Sequence, residues 1–72
     1  MTIPEFTPRQ WDVLRALCEV KTNSEIAYDL GISPHTVKAH VERLMQATGT
    51  RNRVELILTA VRRGWVTFEV QP

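Results

Sequence analysis

Two runs of small polar side chains, Thr22-Asn23-Ser24 and Ser33-Pro34-His35-Thr36, stand where helices would begin. Their hydroxyl, amide and imidazole groups, with the unbonded N–H groups and positive dipole end of a helix start, suit phosphate oxygens. Between residues 33 and 63, Lys38, Arg43, Arg51, Arg53, Arg62 and Arg63 face only Glu42 and Glu55, a net +4. Residues 1–32 carry Arg9, Arg15 and Lys21 against Glu5, Asp12, Glu19, Glu25 and Asp29, a net −2, so the overall +1 hides an asymmetry. Such a bias is either ordinary solvated surface or the footprint of a polyanion partner, and charge alone does not choose.

Other chemistries lack their residues. No nucleophile–base pair, paired-carboxylate motif or phosphate loop is present, and Ser24 and Ser33 read as helix caps, so no enzyme is expected. Cys18 is the single cysteine, which excludes an internal disulfide and a multi-cysteine zinc site and fits a reducing cytosol. The two histidines, His35 and His40, are five apart and do not share a helix face, and nothing supplies further metal ligands. No metal or other cofactor is expected. With 72 residues, 43% of them hydrophobic, the chain supports one small core and reads as a single domain over residues 1–72. No apolar run approaches the roughly 18 residues of a membrane span. The start, Met1-Thr2-Ile3-Pro4-Glu5, lacks the basic and apolar segments of a signal peptide. The expected location is cytoplasmic, without membrane association.

The elements that must hold these groups are legible from their ends. Thr7-Pro8 reads as an N-cap followed by proline at the first helical position, with Gln10 completing a capping box. Val13, Leu14, Leu17 and Val20 recur on one side at about 100° per residue, predicting helix 1 over 8–20, with Trp11 and Cys18 at the margin and Phe6 placed to staple back. Thr22 and Glu25 form a second box, Ile26, Ala27 and Leu30 an apolar face, and Gly31 a left-handed stop, predicting helix 2 over 23–30. Ser33-Pro34 opens helix 3, predicted over 34–47, with Val37, Val41 and Leu44 inward, His40 near them, and Lys38, Ala39, Glu42, Arg43 and Gln46 outward. Asn52 with Glu55 opens helix 4, predicted over 53–63, where Arg62 and Arg63 suit the negative dipole end. Trp65 to Val70 alternates partially, as a short extended edge or a packed arm would.

Helices 2 and 3 fit a helix-turn-helix frame. Counting from Asn23, small Ala27 falls at position five, where the helices approach closely, and Gly31 at position nine, where the turn needs positive φ. Ile26, Leu30, Ile32 and Val37 fall on the shared buried face. The second helix of such a unit projects and fits a DNA major groove. Frame and charge bias then agree.

The residues that carry a family resemblance are now in place: Phe6-Thr7-Pro8-Arg9-Gln10 with Val13-Leu14-Arg15-Ala16-Leu17, Asn23-Ser24-Glu25-Ile26-Ala27 with Leu30-Gly31-Ile32-Ser33, Thr36-Val37-Lys38 with His40-Val41, and Arg51-Asn52-Arg53-Val54-Glu55-Leu56 with Ala60 and Arg62-Arg63-Gly64. From about Phe6 to Val66 the chain resembles the LuxR/GerE-type DNA-binding domain. The resemblance implies an all-α, four-helix domain with a short extended C-terminal tail, a transcriptional role and dimeric binding to paired half-sites. In that family the domain usually follows a sensing or phosphoacceptor domain, and a minority are the domain alone.

By the same resemblance Lys38, Ala39 and Glu42 face base edges. Lys38 can donate to guanine O6 and N7, Glu42 can accept from cytosine N4, and Ala39 can touch a thymine methyl. Arg43 is placed for a flanking base or phosphate. Thr36 matches a phosphate-contacting hydroxyl, and Thr22, Asn23, Ser24, His35 and Arg51 complete the expected phosphate contacts. The competing role for Lys38 and Glu42 is an i,i+4 ion pair, worth about 0.2–0.5 kcal/mol. His40 is expected to be structural.

The chain also departs from the family pattern. Ala47-Thr48-Gly49-Thr50 stands where Lys-Leu-Gly-Val is common, so a phosphate contact is lost and two apolar positions become threonines that need hydrogen-bond partners if buried. Trp11 replaces a usually polar residue and, with Trp65 and Phe68, suggests extra contact surface. On helix 4, Leu56, Ile57 and Ala60 can face the core, while Val54, Leu58 and Val61 form a second stripe. In the family this helix pairs two copies, which suits a pseudo-palindromic site; alternatively Val66 or Phe68 folds back over the stripe.

The leading reading is a sequence-specific, double-stranded-DNA-binding transcription regulator that reads the major groove with helix 3. It pairs weakly through helix 4, with RNA polymerase or another regulator as the protein partner such a role calls for. The runner-up is a small interaction module that pairs through helix 4 with a larger family member and modulates it.

Overall fold

The computed structural model describes residues 4–67. Four helices, and no strand among the described residues, run in the order α1 (Pro8–Leu17), α2 (Asn23–Leu30), α3 (Pro34–Thr48) and α4 (Arg53–Arg62). Each start is fixed by a local side chain. Thr7 Oγ1 accepts from the Gln10 N–H at 3.2 Å while Gln10 Oε1 accepts from the Thr7 N–H at 2.8 Å, a reciprocal capping box. Phe6 packs edge-on to Trp11 at 5.2 Å, a hydrophobic staple across the cap. Thr22 and Glu25 repeat the box at α2. Ser33 caps α3 by accepting from the Thr36 N–H, and Asn52 caps α4 by accepting from the Glu55 N–H at 2.8 Å.

α1 ends three residues before the predicted Val20. The Glu19 and Val20 N–H groups bond three residues back, to the Ala16 and Leu17 carbonyls, which tightens the helix end. Val20 then takes φ +60°, turning the chain toward the extended Thr22 cap. Val20 therefore leaves the apolar side it was predicted to join and is 77% exposed. The ends of α3 and α4 lie within one residue of prediction.

The core is contributed by every helix: Val13, Leu14 and Leu17 of α1, Ile26 and Ala27 of α2, Val37, Val41 and Leu44 of α3, Leu56 and Ala60 of α4. α2 and α3 meet across a turn in which Gly31 takes φ +69° and the Ile32 N–H bonds the Ala27 carbonyl at 3.0 Å. Ala27 and Val37 are buried at this crossing, with Leu30 and Ile32 packed partly buried beside them. The glycine conformation and the small Ala27 let two short helices cross closely.

The departures noted in the sequence are internally satisfied. Thr48 Oγ1 donates to the Leu44 carbonyl at 2.8 Å and shares a hydrogen bond with Thr50 Oγ1 at 2.9 Å. Trp11 is half-buried rather than an outlying contact surface. Phe6 lies between Trp11 and Trp65, 6.0 Å from the latter, and Arg63 stacks on Trp65. Trp65 and Val66 pack on the core, which supports the packed-arm alternative for that part of the tail; Phe68, Glu69 and Val70 lie outside the described residues.

Candidate nucleic-acid interface

The outward face of α3 carries Lys38, Glu42, Arg43 and Gln46 exposed, with Ala39 half-buried between them. The opposite face is anchored by Val37, Val41 and Leu44, which are almost completely buried. That anchoring fixes the rotation of the helix and so the direction of the exposed set. His40 is half-buried, with its Nδ1 buried and unpartnered. Lys38 and Glu42 form no ion pair with each other, or with any other described residue, and both are exposed.

Two helix starts carry the polar groups expected to meet phosphate. At α3, His35 is exposed and the Thr36 hydroxyl lies 2.9 Å from that of Ser33. At α2, Thr22 and Ser24 are exposed. Thr22 Oγ1 accepts from the Glu25 N–H, which leaves its hydroxyl hydrogen to donate. Asn23 is differently placed. Its Oδ1 accepts from Arg53 Nη1 at 2.7 Å, so only its amide nitrogen faces outward demands. The sequence marks Arg53 as one of the cations and as part of the family pattern but assigns it no contact; the available signal was a cation at the first position of a helix, where the dipole disfavours it.

Charge compensation divides the chain. Arg9 and Arg15 pair with Asp12, and Lys21 pairs with Asp29 at 2.7 Å and with Glu19. The Asp29 hydrogen bond holds the Lys21 ammonium above its ordinary pKa, and the hydrogen bond from the Thr22 backbone N–H holds the Glu25 carboxyl below its own. None of Lys38, Arg43, Arg51, Arg53, Arg62 and Arg63 pairs with a carboxylate among the described residues. Cations without a carboxylate partner among the described residues give that side a field suited to a polyanion. Burial, with Glu19 nearby, pushes the Cys18 thiol up, so it is an inert core group. Among the described residues no cluster of acidic, histidine or cysteine side chains could hold a metal ion, and no helix is long and apolar enough to cross a membrane.

On α4, Val54 is 65% exposed, Leu58 52% and Val61 36%. Among the described residues the stripe thus keeps an exposed surface, which Val66 does not close over.

Comparisons with known proteins agree with this geometry. The sequence profile of "Bacterial regulatory proteins, luxR family" matches residues 4–60. The chain is 42% identical over 62 residues to a probable transcriptional regulator, ycf29, of Cyanophora paradoxa, covering 86% of this chain and 30% of the relative. It is 40% identical over 60 residues to the response regulator Rre1 of Synechocystis, covering 83% and 26%. The solved structure of the transcription factor GerE superposes with a TM-score of 0.85 at 25% identity, covering 93% of this chain and all of the other. The chain spans at most about a third of the length of these sequence relatives.

Proposed function

The chain belongs to the luxR family of bacterial regulatory proteins, and we propose that it is a transcriptional regulator that binds double-stranded DNA sequence-specifically, with α3 in the major groove. The single observation that carries this reading is the exposed face of α3, where Lys38 and Arg43 project without counter-ions among the described residues from a helix anchored by Val37, Val41 and Leu44. Lys38, Ala39, Glu42 and Arg43 contact base edges; Thr22, Asn23, Ser24, His35, Thr36 and Arg51 hold phosphates on either side. Residues 1–72 act as one DNA-binding unit in the cytoplasm, by binding and not by catalysis. Two copies pair weakly through Val54, Leu58 and Val61 on a pseudo-palindromic site, and the bound pair meets RNA polymerase or another regulator.

Selection from random duplexes, followed by affinity against salt, tests the reading. A two-fold motif bound well above background, with a salt slope of several phosphates, is expected. No enrichment and only weak salt-sensitive binding would reject it. The exposed α4 stripe favours a second reading, an interaction module that pairs with a larger family member and modulates it. That reading predicts a heterodimer with no selected DNA motif.

A further inference from the structure

Arg53 occupies the first helical position of α4, an end whose dipole opposes a cation. Its guanidinium reaches across to the start of α2: Nη1 donates to Asn23 Oδ1 at 2.7 Å and Nη2 donates to the Lys21 carbonyl oxygen. Among the described residues these are the only side-chain hydrogen bonds joining positions more than eight apart in sequence. The group is half-buried and pairs with no described carboxylate. α4 also packs directly on α3, and its core contact is apolar, made by Leu56, Ala60 and the partly buried Ile57, which is non-directional. The planar fork on two acceptors is directional. Val54, the next residue, begins the exposed α4 stripe, while Thr22, Asn23 and Ser24 form the α2 start.

We propose that Arg53 is a positioning residue that ties the α4 pairing helix to the start of α2, and through the α2–α3 crossing to the reading helix. The distance at which two copies meet is thereby passed to the distance at which two reading helices meet DNA. This inference rests on the DNA-binding reading and adds a determinant of half-site spacing.

The test compares the wild-type chain, Arg53→Gln and Arg53→Lys on two duplexes: the selected paired site and the same site with one base pair inserted between its halves. A third duplex scrambles one half-site. The wild type should lose about tenfold or more on the respaced duplex, as it would for a mismatch. Arg53→Gln should discriminate spacing by only about twofold while still rejecting the scrambled half-site. Arg53→Lys keeps a cation without the fork and should fall between them, and it carries the comparison if the glutamine variant does not fold. Wild-type spacing discrimination in the variants, or a uniform loss on all three duplexes, would overturn the proposal, the latter marking Arg53 as merely structural. Wild-type binding to one half-site alone would overturn the coupling while leaving the DNA-binding reading intact. Enrichment of no duplex at all would end both.

Discussion

At the scale of single residues, exposure and partnership separate function from stability. Lys38 is exposed and holds no ion pair among the described residues. Lys38→Ala should therefore leave the urea unfolding midpoint unchanged while reducing specific DNA affinity by roughly 1–3 kcal/mol and relaxing one base preference. Equal affinity of variant and wild type in a titration would remove α3 from the groove. Val20 shows the opposite behaviour. A β-branched side chain at φ +60° and 77% exposure bears the steric cost of the left-handed region without burial in return. Val20→Gly relieves that clash, partly offset by glycine's larger unfolded-state entropy, and should stabilise the chain by about 1 kcal/mol in urea unfolding. A destabilised variant would mean that the valine side chain is held by something other than its own fold.

At the scale of elements, the caps make local sequence and local structure coincide. The boxes Thr7–Gln10 and Thr22–Glu25 each close over three residues, so they are legible in a linear sequence. The helix starts and the α2–α3 frame were read there for that reason. The outward set of α3 was legible by helical phase alone. Val20 was misplaced because periodicity carries no information about a turn that Thr22 imposes. The Arg53–Asn23 link joins residues 30 apart, and the Phe6–Trp11–Trp65 stack brings together both ends of the described chain; neither leaves a periodic trace. The α2 cap also makes a pH prediction. The Thr22 N–H stabilises ionised Glu25 and lowers its pKa from the ordinary 4.5. A depressed carboxyl adds stability above that ordinary value and loses it as pH falls through the folded value. Glu25→Gln can still accept from Thr22 but has no charge to lose, so its stability should fall less steeply below about pH 4.5. An unchanged acid limb in pH-dependent unfolding would remove Glu25 from the acid response.

At the scale of the whole molecule, the segregation of paired from unpaired charge and the α4 stripe left exposed among the described residues suit the two proposed partners, DNA and a second copy. A small apolar patch supports only weak pairing in solution, so the second copy should be evident chiefly on DNA. Leu58→Asp places a carboxylate in the middle of the stripe, on an exposed position, and should abolish two-protomer occupancy of the paired site while the fold persists; unchanged stoichiometry in analytical ultracentrifugation with DNA would contradict pairing through α4. The charge division makes a second, independent demand. Arg51 is exposed in the α3–α4 loop and unpaired among the described residues, whereas Arg15 is exposed on α1 and pairs with Asp12. Both substitutions to alanine remove one unit of positive charge from the same small chain, so net charge alone would weaken binding equally in the two variants. If the uncompensated cations are the ones that displace counter-ions, Arg51→Ala should weaken selected and random duplexes alike and reduce the salt slope by about one. Arg15→Ala should change the slope little, because its charge is already engaged by a carboxylate on the acidic side. Matching slopes for the two variants would mean that the duplex responds to overall charge rather than to the face formed by α3 and the loop that follows it.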